Sequence, residues 1–484
     1  MLYESTRGDK TRIPAAQAIV KGLATDRGLY TPSFIPTLSD EEIVTIATSD
    51  YKDVAKLVFS KFLTDFSADE IDACIKGAYE NTFDTPEIAP LQQLDDNTSI
   101  LELWHGPTCA FKDVALQALP YLLTTSMKIT GESNKIAIIV ATSGDTGKAA
   151  LEGFKDVEGT SIVVMYPSEG VSLVQKQQMI TQQGENVNVI AIKGNFDDAQ
   201  TAAKNIFTNP DLEQQLLDKE IKLSSANSIN WGRLLPQIVY YIKSSLDIET
   251  DKLIDYVVPT GNFGNILAGY YAKKMGAPIG KLICASNSNN VLTDFIKTGV
   301  YDRRREFVKT LSPSMDILIS SNLERFLFEL SDHDSDLIDS LMNKLDLQGY
   351  YEIPQQLKLK MQGLLEAEYC TDQQTQEAIK QCWDKYNYLL DTHTAVAYNV
   401  HQMNKSDNPT IIVSTASPFK FPQGVYTALN GEVDLTEYQI LKELSNFTKW
   451  DIPAPIKDLE NIPVLHNTVC DKEEIVDTII GVIN

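Results

Sequence analysis

Apolar positions recur three and four residues apart in Tyr51–Phe62 and Ala68–Tyr79, which predicts two amphipathic helices, with Ser67 and Asp69 where helix caps belong. Ahead of them, STRG (5–8) and DRGLYTP (26–32) read as extended chain and turns, and Pro86 and Pro90 close the unit. After Leu91 the pattern changes. Short, β-branched apolar runs at 136–141 (IAIIVA), 161–166 (SIVVMY), 187–192, 253–258, 281–285 and 410–414 (TIIVS) predict buried strands. Helical patterns at 148–154, 197–207 and 266–275 lie between them. This alternation predicts an α/β fold with mostly parallel sheets covered by helices. From 301 to 390 the strand pattern is lost and the chain turns charged and helical. The expected division is a helical N-terminal domain at 1–90, an α/β domain at 91–300, a helical insertion at 301–390, and a return to the α/β domain with a mixed tail at 391–484. No internal repeat is visible.

Composition narrows the function. The 484 residues carry a formal net charge of -24, which argues against non-specific nucleic-acid binding. No apolar run is long enough to span a bilayer, and the opening MLYESTRGDK has no signal-like apolar core. The six cysteines, Cys74, Cys109, Cys284, Cys370, Cys382 and Cys470, form no CxxC pair, and the five histidines lack metal-ligand spacing. A reducing cytoplasm and no metal site are the expectation.

The candidate chemistry starts at 104–119, WHGPTCAFKDVALQAL. Gly106 and Pro107 make a turn, and Lys112 falls in the first turn of the apolar helix that follows. A cation is disfavoured at a helix start, and Ala110, Phe111, Val114 and Ala115 restrict its hydration. A lysine so placed tends to lose its proton and can form a Schiff base. The alternative is a surface lysine paired with Asp113. GNFGN (261–265) follows a buried strand and precedes a helix, a setting in which backbone N–H groups can curl round a phosphate. An ordinary glycine-rich turn is the other reading. ATSGDTG (141–147) has the same context: Ser143, Thr146 and the amides around Gly144 could bind a carboxylate, while Asp145 also reads as a helix cap. A Walker A loop fails here, because Thr142 and Ala149 stand where it needs Gly and Ser or Thr, and no G-x-G-x-x-G follows a strand. NSINWGR (227–233) and STASPFKF (414–421) place further polar groups at the ends of apolar stretches. The run Arg303–Arg305 reads as a solvated face or an anion guide. Loops past the C-terminal ends of parallel strands converge, so these groups could share one crevice.

HGPTCAFKD, ATSGDTG, NSINW, VPTGNFGN, SPSMDILISSN and STASPFKF, in this order, resemble the threonine synthases, and more broadly the pyridoxal-phosphate enzymes of the tryptophan synthase β-like fold (fold type II). The similarity runs from STRG to at least Phe421, and the chain is also similar to the longer microbial and fungal branch, which carries a helical insertion like the segment 301–390. The resemblance implies pyridoxal 5′-phosphate as cofactor and conversion of O-phospho-L-homoserine and water to L-threonine and phosphate. It implies that Lys112 is the Schiff-base lysine and proton carrier. Gly261, Asn262, Phe263, Gly264 and Asn265 would hold the cofactor phosphate, and Thr415 the pyridine nitrogen. A neutral hydroxyl there leaves the ring nitrogen largely unprotonated, which disfavours transamination. Thr142, Ser143, Gly144, Asp145 and Thr146 would take the substrate carboxylate. Asn227, Ser228 and Arg233 are the candidates for the substrate phosphate, with Ser320, Asn322 and Arg325 behind them, although helix capping and ion pairing would equally explain those three. A monomer or small homo-oligomer is expected. Three residues depart from the family pattern: Cys109 stands where Phe is frequent, Thr392 where proline is, and Ser417 where histidine is. A phospho-lyase releasing 2-oxobutyrate and a non-catalytic cofactor-binding protein are the alternatives to a synthase.

Overall fold

The computed structural model describes every residue except Ser143, Glu169, Gly170, Asn195, Thr208 and Asn484, together with the side chains of 196, 197, 200, 201 and 204. Two sheets organise it. The larger has six strands in the order Leu365–Tyr369, Ile279–Ser286, Ile254–Pro259, Thr410–Ser414, Thr98–Glu102 and Leu91–Asp95. All neighbours run parallel except the last hairpin. Ile412 stands opposite both Val257 and Ile100, which fixes the register of the three central strands. The second sheet is wholly parallel, in the order Thr468–Asp471, Val187–Lys193, Thr160–Pro167, Lys135–Ala141, Ile221–Ser224. Thr160–Pro167, Ile254–Pro259 and Thr410–Ser414 are buried along their whole length, as helices on both faces require of a continuous apolar run.

The N-terminal helices form where the pattern places them. Ser67 caps Ala68–Tyr79 in a reciprocal capping box with Glu70, and Asp50 caps Tyr51–Phe62. Ala68–Tyr79 packs on Tyr51–Phe62 and on the helix Leu119–Thr130, and Tyr51–Phe62 docks on the helix Trp231–Asp247. Trp231 is fully buried there, with the rings of Tyr3, Phe62 and Tyr271 at 5.3, 5.4 and 5.6 Å. Truncating such a residue costs roughly 3–5 kcal/mol. STRG and GLYTP have a further task. Arg7 makes a bidentate ion pair with Glu324, and the carbonyl of Tyr30 accepts two bonds from Arg325, so both motifs brace the helix Leu323–Leu330.

The segment 301–390 is helical, but not only helical. Strand Leu365–Tyr369 pairs with Ile279–Ser286 as an edge of the six-stranded sheet, and Tyr350–Glu352 pairs antiparallel with Val300–Asp302. The segment therefore completes the α/β sheet as well as covering it. Edge strands need burial on fewer sides, which is why LEAEY, with two glutamates, lacks the apolar pattern of an inner strand. Arg304 pairs with Asp302 and Arg305 with Asp294, so the arginine run braces the surface. Among the described residues, no helix is long and apolar enough to cross a membrane.

Candidate active site

Three loops leave the C-terminal edge of the large sheet side by side, because Ile254–Pro259, Thr410–Ser414 and Thr98–Glu102 are parallel neighbours. They carry GNFGN, STASPFKF and the approach to Lys112. From the second sheet, Lys135–Ala141 leads into the 142–147 loop, and Ile221–Ser224 into NSINWGR.

Lys112 is the first residue of the short helix Lys112–Leu116, and its side chain is only 12% exposed. Burial, with the charges of Lys420 and Arg233, pushes its amine down to about 8, against the pull of Asp145. Asp113 is not its partner. That carboxylate accepts from the N–H and hydroxyl of Thr108 at 2.8 and 2.6 Å, and burial raises its pKa to about 6. Lys112 instead faces Asp145, with Nζ 4.0 Å from Oδ2.

Asp145 is the electrostatic centre. Its Oδ1 accepts from Lys420 Nζ and from Gln175 Nε2, both at 2.8 Å, and its Oδ2 accepts from Ser314 Oγ at 3.2 Å. Burial opposes its ionisation, yet the charges of Lys420 and Lys112 and these bonds hold the carboxyl well below the usual range. The side chain makes no helix cap. As the first residue of the helix Asp145–Phe154 it faces two lysines, so it is a counter-charge rather than a carboxylate binder. Thr142 shapes the loop: its Oγ1 accepts from the N–H groups of Gly144 and Gly147 at 3.0 and 2.9 Å. Gly144 has φ +147, and a Cβ there would lie 2.5 Å from the Gln175 amide. Thr146 is half-buried, and Ser143 lies outside the described residues.

Thr415 is held next to Lys112. Its carbonyl accepts from the Phe111 N–H at 2.8 Å, and the Ser417 N–H donates to the Cys109 carbonyl at 3.1 Å, flanking an antiparallel bridge between Ala110 and Ala416. Thr415 itself is 6% exposed. Cys109 sits at φ +58, and burial pushes its thiol up to about 12, so it is an inert packing residue. Ser417 caps the following turn by accepting from the Phe419 N–H at 3.4 Å. Thr392 is the first residue of its helix after the cap Asp391, a position that suits proline equally because no helix bond uses that N–H.

The GNFGN turn places Phe263 at φ +63 before the helix Gly264–Met275 and locks its ring against Phe326 at 5.5 Å. Ser320 Oγ donates to the Gly261 carbonyl at 2.9 Å, and the Asn322 N–H donates to the Asn262 carbonyl at 3.0 Å. Asn265 Oδ1 accepts from the hydroxyls of Tyr240 and Tyr241 at 2.6 and 2.8 Å, which leaves Nδ2 without a partner among the described residues. Asn322 is arranged likewise. Its Oδ1 accepts from Arg325 and its Nδ2 is unpartnered, 3.4 Å from where a Cβ on Gly264 would be. Arg325 spends its donors on Asn322 and on main-chain carbonyls, so it orders the turn rather than reaching a ligand.

Arg233 differs. It is 3% exposed, no carboxylate lies within ion-pair distance among the described residues, Nη1 donates to the Ala226 carbonyl at 2.6 Å, and Nε is unpartnered. Burial lowers its pKa to about 10, which leaves it a cation at neutral pH. Asn227 and Ser228 are half-buried on the loop that leads into its helix, Trp231–Asp247. A buried amine, two unpartnered amides at a glycine turn and a guanidinium without a counter-ion fit a ligand bearing a carbonyl and phosphoryl groups. Lys420, Gln175, Ser314 and His393 were not singled out from the sequence. His393 Nε2 accepts from the Ser314 N–H at 3.1 Å, and its Nδ1 lies 3.0 Å from Asp391 Oδ1, so this histidine sets the position of Ser314. The one available signal was a lysine between two phenylalanines in PFKF.

The chain matches three family models: threonine synthase N terminus at residues 2–79, pyridoxal-phosphate dependent enzyme at 87–414, and threonine synthase, C-terminal, at 394–480. It is 42% identical to human threonine synthase-like 1 over 86% of this chain, and the match spans 58% of the human protein's length. It is 39% identical to the threonine synthase of Pseudomonas aeruginosa, covering 89% of this chain and 91% of that one. A crystal structure of threonine synthase from Brucella melitensis with bound pyridoxal phosphate superposes with a TM-score of 0.89 at 36% identity, over 100% of this chain and 99% of that one. With the parallel sheets, the amine and the glycine turn in place, the chain belongs to the threonine synthase family of pyridoxal-phosphate dependent enzymes.

Proposed function

We propose that this chain converts O-phospho-L-homoserine and water to L-threonine and phosphate with pyridoxal 5′-phosphate as cofactor. The observation that carries the reading is the combination around Lys112: a depressed amine and, among the described residues, unpartnered amides at the glycine turn and a separate buried guanidinium with no counter-ion. One amine and two places for phosphoryl groups are what a cofactor phosphate and a substrate phosphate require. The bacterial relative of nearly equal length, named threonine synthase, supports the same reaction.

Bound cofactor supplies an electron sink that makes a substrate Cα proton removable. Lys112 supplies the amine that anchors it, and with a pKa near 8 that amine takes and returns protons at Nζ near neutral pH. Gly261, Asn262, Phe263, Gly264 and Asn265 hold the cofactor phosphate by main-chain N–H groups and the Asn265 amide, and Asn322 adds a second amide. Thr415 offers the ring nitrogen a neutral hydroxyl. Arg233, with Asn227 and Ser228, binds the substrate phosphate. The 142–146 loop takes the substrate carboxylate through the Thr146 hydroxyl and main-chain groups, while the Asp145 carboxylate serves the lysines. Asn287 and Asn289 donate to Asp316 and so fix the turn that carries Ser314 to Asp145.

We also place the enzyme in the cytoplasm as a monomer or small homo-oligomer that binds neither nucleic acid nor membrane. Six free, buried cysteines and the net charge of -24 support that placement. The test is turnover of O-phospho-L-homoserine by the loaded chain. Threonine and phosphate in equal amounts are expected. Phosphate with 2-oxobutyrate and no threonine would make it a phospho-lyase, and no turnover would make it a binding protein.

A further inference from the structure

We infer that Lys420 is a positioning residue for Lys112: it occupies one oxygen of Asp145, so the other is the resting place of the Lys112 amine without being a full counter-charge to it. The inference rests on Lys112 being the cofactor-carrying amine. Lys420 has no exposed surface. It ends the short turn Pro418–Lys420, and its Nζ bridges Asp145 Oδ1 at 2.8 Å and the Thr108 carbonyl at 2.7 Å. A fully buried ammonium is costly and persists only where its partners are fixed. Here they are. Gln175 holds the same carboxylate oxygen, Ser314 holds the other, and Thr108 is itself tied to Asp113.

The geometry divides one negative charge between two amines unequally. Lys420 is in hydrogen-bond contact, whereas Lys112 stands off at 4.0 Å. Without Lys420, a buried carboxylate would face Lys112 alone, and an undivided opposite charge favours the ammonium form. With Lys420 present, Asp145 is already neutralised when Lys112 approaches, so the amine can rest beside it and still give up its proton. The charged groups facing Lys112 among the described residues are Asp145, Lys420, Arg233 and Asp113. Asp113 is turned to Thr108, and His393 reaches the cluster only through Ser314. Lys420 touches neither the glycine turn nor Arg233 through any hydrogen bond, so it acts through Asp145.

The test reads Lys112 directly, by trace acetylation of the cofactor-free full-length chain across pH, with the Lys112 peptide quantified by mass spectrometry and folding checked by circular dichroism. In Lys420→Met the midpoint of Lys112 labelling should rise by about one pH unit, or about tenfold less labelling near pH 8. Lys420→Arg keeps the charge and should stay within a few tenths of a unit of the parent. Lys420→Gln keeps a donor for Asp145 and Thr108 without charge; it covers the case in which the methionine variant does not fold, and it must move the midpoint upward too. An unchanged or lowered midpoint in a folded, uncharged variant would overturn the inference. This readout does not depend on turnover. Failure of the underlying reading would show separately, as cofactor attached to a different lysine.

Discussion

Arg325 donates from Nη1 to Asn322 Oδ1 at 2.7 Å, and that bond decides which end of the Asn322 amide faces the glycine turn. With the oxygen occupied, the N–H end is presented to Gly264 without a partner among the described residues. Asn322→Ala should weaken pyridoxal phosphate binding by about tenfold, the worth of one hydrogen bond to a charged group. Asn322→Asp should weaken it further, because a like charge then meets the phosphate. Titration of the cofactor-free protein measures both, and unchanged affinity in either would remove Asn322 from the site.

Among the described residues, no carboxylate pairs with the buried Arg233 cation. Truncating it to methionine removes an unpaired charge from the interior, so the cofactor-free chain should unfold within a few degrees of the parent or above it. Substrate binding should suffer far more, with KM for O-phospho-L-homoserine raised by about a hundredfold. Thermal unfolding and steady-state kinetics separate the two effects. A large loss of stability with normal KM would make Arg233 a structural residue.

Gly144 holds a backbone angle of φ +147, and Gln175 fills the space beside it. Gly144→Ala places a methyl 2.5 Å from that amide and should cost about 1–3 kcal/mol of stability. It should also drive Gln175 off Asp145, a bond of 2.8 Å. Denaturant unfolding reads the first effect. Restoring space with Gln175→Ser in the same chain should recover part of the loss, and no recovery would contradict the packing argument.

Lys112 makes stability depend on pH in a definite direction. Its folded pKa of about 8 lies below the ordinary lysine value of 10.5. Between those values the unfolded chain binds the extra proton, so folded stability improves as pH rises through the window. Measured against Lys112→Met as reference, the cofactor-free parent should gain at most about 3 kcal/mol across it. A gain in the opposite direction would mean that Lys112 is held charged.

What could be read in the sequence followed burial. IAIIVA, SIVVMY and TIIVS form inner strands because continuous apolar runs have no other way to satisfy both faces. LEAEY, TVCD and IKLS form edge strands, and their exposed or charged positions hide them among helical patterns. Lys112, the STASPFKF stretch and the GNFGN turn could be picked out because each follows a strand or a turn signal, whereas Thr415 was singled out within its stretch only by the family resemblance. The Asp145 cluster was not visible. Its members come from five separate stretches of chain, and only the folded sheets bring Lys420, Gln175 and Ser314 to one carboxylate. Asp145 showed the limit most plainly. Helix capping and carboxylate binding were both reasonable for it locally, and the structure gives its side chain to the lysines.

The most direct test of the account concerns the two amines beside Asp145. The chain should be loaded with pyridoxal phosphate, reduced with borohydride, digested, and the pyridoxyl mass located. The mass is expected on the peptide containing Lys112, with the peptide containing Lys420 unmodified. Label on Lys420, or on any peptide lacking Lys112, would contradict it.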